Sequence, residues 1–182
     1  MNQGERVDMY RSKFVSLVED HAELLTQRWL DEVKTNPSTA GYKKLSDEVL
    51  SRRVYDVYKR LGEWMLQEQS GYKQTAQHFI ELGRDRAKEG LHVSEVVYAF
   101  ILTRVILWKY VVSAGLIDTT LDFHQALDFY QKVTNFFDKA EYFVAVGYET
   151  LEPREQQKLD NENFVEEAVK SVMNWFVKED KQ

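Results

Sequence analysis

The sequence predicts an all-α bundle of about six to seven helices, and three observations predict it. The 182 residues contain only two prolines and eight glycines, and Leu, Glu, Lys, Gln and Arg, all good helix formers, are abundant. Apolar residues recur at mixed three- and four-residue spacing, the signature of a helix with one buried face. No alternating apolar run bounded by hairpin turns is visible. The length suits one sizeable core and gives no reason to invoke a second.

The elements follow in order. Residues 6–34 carry Phe14, Leu17, Val18, Leu24, Leu25, Trp29 and Val33 on a helical period, and Asn36-Pro37-Ser38 stops the helix because proline disfavours helix in the residue before it. Ser46 offers an N-cap, with Asp47 and Glu48 in the first turn, where the helix dipole favours negative charge. The helix it opens extends to about residue 68 on a stripe of Leu50, Val54, Val57, Tyr58, Leu61 and Met65, and Ser70-Gly71 breaks it.

A shorter helix starts near Thr75, places Phe79, Leu82 and Arg86 on one face and stops at Gly90. Ser94 then caps a helix over 95–113 that is apolar on almost every side and must therefore be covered all round. A loop at Asp118-Thr119-Thr120 leads to a long helix over 121–150 with two apolar stripes. Leu127, Tyr130, Phe137, Ala140, Val144 and Tyr148 form one; Phe129, Val133, Phe136 and Phe143 form the other. One stripe serves the core and the second is expected to meet a partner. Beyond Pro153, a suitable first-turn residue, an amphipathic helix is expected over 154–178, with Leu159, Val165, Val169, Val172 and Phe176 on its apolar side.

Composition excludes several functions. A formal charge of −6 without a basic block speaks against nucleic acid. The absence of cysteine removes disulfides, thiolate zinc sites, iron–sulfur clusters and cysteine nucleophiles. The polar N-terminus MNQGERVDMYRSK lacks the apolar core of a secretory signal, so a cytoplasmic location is expected. The run 96–112 is the one stretch resembling a membrane span, but it is short and interrupted by Arg104 and Lys109, so no membrane association is expected.

The sequence presents no catalytic or metal-binding constellation. The four histidines, His21, His78, His92 and His124, lie on four segments with no pair at i, i+4 spacing. The one Glu-x-x-His unit, Glu89 to His92, straddles the break at Gly90, which argues against a di-iron bundle. No phosphate-cradling loop, dinucleotide fingerprint or nucleophile elbow is present, and the 30 carboxylates are spread as on a solvated face. No metal, cofactor or catalytic residue is therefore expected. Arg104 alone looks out of place in its apolar helix; a structural ion pair with Glu81 or Asp85 is the simplest expectation.

The run Leu82-Gly83-Arg84-Asp85-Arg86-Ala87-Lys88-Glu89-Gly90-Leu91, then Ser94-Glu95-Val96-Val97, the apolar helix with Arg104 and Trp108, and Phe136-Phe137-Asp138-Lys139-Ala140 leading to Gly147-Tyr148, resemble the N-terminal domain of the RsbR and RsbRD stressosome proteins. The similarity covers about residues 21–149. It implies a globin-like bundle without haem, acting as a non-enzymatic sensory or interaction domain, an RsbT co-antagonist type, in bacterial signal transduction. It also implies a dimer formed by the last two helices and a signal passed along a C-terminal linker helix. The same segment is similar to the proximal helix of haem-bearing globin sensors, with Arg86 standing where that family has its iron ligand.

On this reading residues 1–152 form the sensor domain and 153–182 a linker or dimerisation helix. Arg86, Arg104 and Trp108 line a cleft, and Phe129, Val133, Phe136 and Phe143 form a homodimer contact, with a signalling protein as the further partner. The alternative is a sensor holding haem, another tetrapyrrole or a lipid-like molecule in the cleft.

Overall fold

The computed structural model describes residues 13–66, 72–151, 166, 169 and 170. Among these residues the chain forms seven α-helices and one 3-10 stretch, with no strand. They are α1 (Lys13–Asp20), α2 (Ala22–Thr35), the 3-10 stretch (Pro37–Lys44), α3 (Asp47–Lys59), α4 (Leu61–Leu66), α5 (Tyr72–Lys88), α6 (Val93–Ser113) and α7 (Thr120–Glu149). The arrangement is an all-α, globin-like bundle, with one more element than the upper expectation.

Local chemistry sets most of the boundaries. Asn36 accepts from the Ser38 amide at 2.9 Å and starts the 3-10 stretch at Pro37. Ser46 Oγ accepts from Val49 N at 3.4 Å and opens α3, as its sequence position predicts. Thr119 and Asp122 satisfy each other's amides at 3.1 and 3.0 Å and open α7. After α5 the chain turns left-handed at Gly90 (φ 76°), while Leu91 N donates to Arg86 O at 3.1 Å and closes the helix end.

Three expected boundaries move. The helix expected over 6–34 is two within the described residues, because the backbone leaves helical geometry at His21 (φ −112°, ψ 23°), whose Nδ1 lies 2.9 Å from Leu17 O. The helix expected to 68 breaks at Arg60 (φ −114°, ψ 19°), just before Gly62, whose missing Cβ leaves room for Val15. The N-cap of α6 is His92 rather than Ser94. The helix expected over 154–178 lies outside the described residues apart from Glu166, Val169 and Lys170. These three are helical, with Val169 partly buried against the core.

α5 and α7 make the closest crossing in the bundle. A Cβ on Gly83 would stand 2.2 Å from Val144 O, and one on Gly147 would stand 2.2 Å from Ile80 O and 3.0 Å from Gly83 Cα. The two backbones therefore touch with no side chain between them. Around this crossing Phe79, Ile80, Phe136, Phe137, Phe143 and Val144 are buried together. The rings of Phe79 and Phe136 meet edge to face at 5.8 Å.

Buried polar groups are placed to join helices. Trp29 Nε1 donates to Ala99 O at 3.1 Å, and Tyr58 OH donates to Thr103 O at 3.2 Å, joining α2 and α3 to α6. The Glu95 carboxylate, on a residue only 9% exposed, accepts from His92 N at 2.9 Å and from Gly41 N at 2.5 Å. It thus serves as the third residue of α6's first turn and fastens the 3-10 stretch to that helix. Burial alone would raise its pKa, but the amide hydrogen bonds from His92 and Gly41 outweigh that and hold the carboxyl below its ordinary value.

Candidate interaction surface

The outward face of α6 and α7 is the most distinctive surface among the described residues. Each helix puts one side into the core and presents another to solvent. On α7 the buried residues between positions 129 and 144 are Phe129, Val133, Phe136, Phe137, Ala140, Phe143 and Val144. At about 100° per residue these positions fall within about 60° of a single direction. Leu127 (45% exposed) and Tyr130 (40%) stand about a quarter turn or more away, in line with Phe123 (53%). On α6, Val105 (38%) and Val112 (53%) likewise face outward, flanking Trp108. The Trp108 and Tyr130 rings meet at 4.8 Å and close the seam between the helices.

This placement corrects the expected contact. Phe129, Val133, Phe136 and Phe143 are no more than 4% exposed and belong to the protein's own core. Their mixed three- and four-residue spacing is that of the same stripe as Ala140 and Val144, not of a second one. The open stripe instead runs through Leu127 and Tyr130, which the sequence pattern places on the other, core-facing stripe.

In the middle of the apolar face lies a polar group. Arg104 Nη1 donates to Asp138 Oδ1 at 2.6 Å, so the partner of Arg104 comes from α7 rather than from Glu81 or Asp85 of α5. Glu141 and Thr134 lie on the same side of α7 as Asp138. Three buried side-chain oxygens lack a hydrogen-bond partner among the described residues, and two of them are Thr134 Oγ1 and Glu141 Oε1. Burial raises the Glu141 carboxyl above its ordinary pKa, opposed by the positive charge of Arg104 and assisted by the negative charge of Asp138. Neither residue carries a sequence signal beyond its place one heptad from the other on the open stripe.

The expected cleft does not assemble. Arg104 and Trp108 belong to the α6–α7 seam, whereas Arg86 sits at the C-terminal end of α5 with its side chain 12% exposed. There Glu89 accepts two hydrogen bonds from Arg53, at 2.6 and 3.1 Å, and longer ones from Arg86, the shorter at 3.3 Å. Burial lowers the Arg86 pKa, as does the nearby charge of Arg53, but a guanidinium remains protonated at any ordinary pH. Tyr148, which donates to Leu91 O at 3.0 Å, has its phenol pushed up to about 12 by burial despite the charge of Arg86. A shallow apolar depression between α5 and α7, lined by Ala76, Phe79, Phe136 and Phe143 among others, contains none of the three expected cleft residues.

These residues do not fit haem. Iron in a globin requires a neutral imidazole, and Arg86 has no lone pair to offer. His78 is stacked beside Trp64 at 5.1 Å, and His92 is the N-cap of α6. Among the described residues no group of three or more His, Cys, Asp or Glu side chains is placed to hold a metal ion. Titration with hemin is expected to give no saturable one-to-one Soret shift. A shift that vanishes on replacing His78 or His92 would overturn this.

The bundle and its seam define the class as a globin-like helical domain. The chain belongs to the family described as the RsbT co-antagonist protein rsbRD N-terminal domain, whose sequence model matches residues 23–162. No curated protein and no solved structure matches the chain. The family is a regulatory, signal-transduction family and not a known class of enzyme.

Proposed function

We propose that this chain is a non-enzymatic, cytoplasmic signal-input domain that works as a homodimer through the open face of α6 and α7 and passes its state to a protein partner. The observation that carries the reading is the apolar face itself. Val105, Val112, Phe123, Leu127 and Tyr130 are each 38–53% exposed on two adjacent helices, where solitary exposed apolar residues would need no explanation. α6 is also long and apolar enough, at a mean hydropathy of 1.6, to cross a membrane. A helix with one side in the core and the other against a second copy accounts for that composition in a protein of this family. The two-fold arrangement of such a face repeats every contact and leaves no open end.

The test is the native mass of the freshly purified protein together with that of Leu127→Asp. The wild type is expected to be dimeric and colourless, and Leu127→Asp to be monomeric with unchanged helicity. Burying an unpaired charge in the contact costs several kcal/mol, enough to weaken association by about a thousandfold. A monomeric wild type, or a Leu127→Asp variant that dimerises as well as the wild type, would sink the reading. A charge at Phe136 or Phe143 would test the core rather than the contact, because both side chains are buried within one copy.

A further inference from the structure

We propose that the chain's own C-terminal segment, residues 165–176, docks as an amphipathic helix on the apolar depression between α5 and α7, with Val169 as its anchor. The inference concerns a different groove of the bundle from the α6–α7 face and does not depend on the dimer reading above.

Four observations lead to it. The first is the groove: Ala76, Phe79, Phe136 and Phe143 line it and are no more than 4% exposed, while Thr75 and Lys139 add polar atoms to its walls. The second is the turn that carries Val169. Glu166, Val169 and Lys170 are helical; Val169 packs partly buried against the core, whereas Glu166 and Lys170 are exposed and pair at 2.7 Å. One side of this turn is therefore already seated on the bundle. The third is place. Glu166, whose carboxyl is held low chiefly by Lys170, also feels the positive charge of Lys73, in the first turn of α5 and two residues before Thr75. The fourth is that Thr75, Lys139 and Phe143 each take part in a further polar, ring or electrostatic interaction, as the walls of an occupied groove would.

The sequence of the segment suits the groove. Val165, Val169, Val172 and Phe176 recur at four- and three-residue spacing, which gives a helix one apolar side. Glu162, Glu166 and Glu167 lie in its first half, opposite in charge to Lys73 and Lys139 on the two walls. About fifteen residues separate Leu151 from Glu166, and Phe136 lies only about 20 Å back along α7 from its end, so the groove of the same copy is within reach. An occupant tethered in this way acts at an effective concentration of about millimolar. A partner helix of similar pattern could take the groove only by displacing it, which would release the segment's apolar side.

The chain contains no cysteine, so introduced thiols report on it directly. In the full chain carrying Lys73→Cys and Glu166→Cys, a flexible bismaleimide is expected to join the two thiols within one copy, changing the mobility of the monomer on a denaturing gel. Val169→Asp, which sets a charge against the apolar floor, should lower that yield by about tenfold, with circular dichroism establishing that the bundle is folded. An equal mixture of the two single-cysteine proteins should give no link between copies. A second measurement serves if Val169→Asp fails to fold. The thiol of Val169→Cys should react with a soluble disulfide reagent about tenfold more slowly than the same thiol in a chain that also carries Phe176→Asp.

A link that survives Val169→Asp undiminished would overturn the docking, and so would a Val169→Cys thiol that reacts equally fast with and without Phe176→Asp. Links that form only between copies would make the occupant a second copy and overturn it equally.

Discussion

Alanine at Gly83 or Gly147 is expected to lower the unfolding free energy by about 3 kcal/mol, against a helix-propensity gain of less than about 1 kcal/mol for replacing glycine within a helix. The two effects have opposite sign, and the geometry decides between them. A Cβ at either position would lie 2.2 Å from a carbonyl oxygen of the facing helix, Val144 O or Ile80 O. Backbone atoms cannot swing aside as a flexible side chain can, so α5 and α7 must separate, and that separation loosens the packing of Phe79, Phe136 and Phe143 on the two helices. The double variant should cost less than the sum of the single ones, since once the helices are apart the second methyl has space. Urea denaturation followed by circular dichroism gives the midpoints; an alanine variant as stable as the wild type would show that the crossing has room for a methyl group.

The second large effect belongs to Glu95. Replacing it with alanine strips the acceptor from the amides of His92 and Gly41 together and is expected to cost about 2–4 kcal/mol at neutral pH. The carboxyl is held below its ordinary value of 4.5, so the folded state favours the charged form. Its contribution is therefore complete above the unfolded-state value and is lost as the pH falls through the lower, folded-state value. The difference in urea midpoint between wild type and Glu95→Ala should accordingly shrink as the solution is taken from neutral to below pH 4.5. Glu95→Gln keeps one carbonyl oxygen and should show an intermediate loss with none of this pH dependence. A gap between wild type and Glu95→Ala that stays constant down to acid would exclude the carboxylate as the fastening.

Where the sequence was legible, a single residue carried the signal. Ser46 marks its helix because a hydroxyl followed by acidic residues satisfies the first amides, and it acts so in the structure; Thr119 does the same for α7, where the sequence suggested only a loop. The start of α6 was misread because Ser94 is the commoner capping type. The deciding residue is Glu95, three positions after His92, whose carboxylate reaches back to the His92 amide. The breaks at His21 and Arg60 carry no proline, and each is a single residue at which the backbone leaves helical geometry. Gly62 beside the second break was the one available hint.

The site was legible in kind and not in detail. Aromatic and aliphatic positions crowd α7 so densely that spacing alone assigns Leu127 and Phe129 to either side, although their burial differs from 45% to 1% exposed. Arg104 stood out correctly as a charge in an apolar helix, yet its partner Asp138 is 34 residues away, and no local rule reaches that far. Gly83 and Gly147 were visible as parts of a family pattern. That they meet each other is a property of the helix crossing, and only the fold reveals it.

That crossing has a mechanical consequence. Side chains between two helices act as a compressible cushion, absorbing small displacements by changing rotamer, and at Gly83 and Gly147 there is no cushion. Next to Gly83, Arg84 donates through Nε and Nη2, at 3.3 and 3.1 Å, to Thr150 Oγ1, three residues beyond Gly147 and itself fixed to Val146 O at 2.9 Å. α5 and the end of α7 therefore mesh like gear teeth without backlash: a rotation of one is imposed on the other in full.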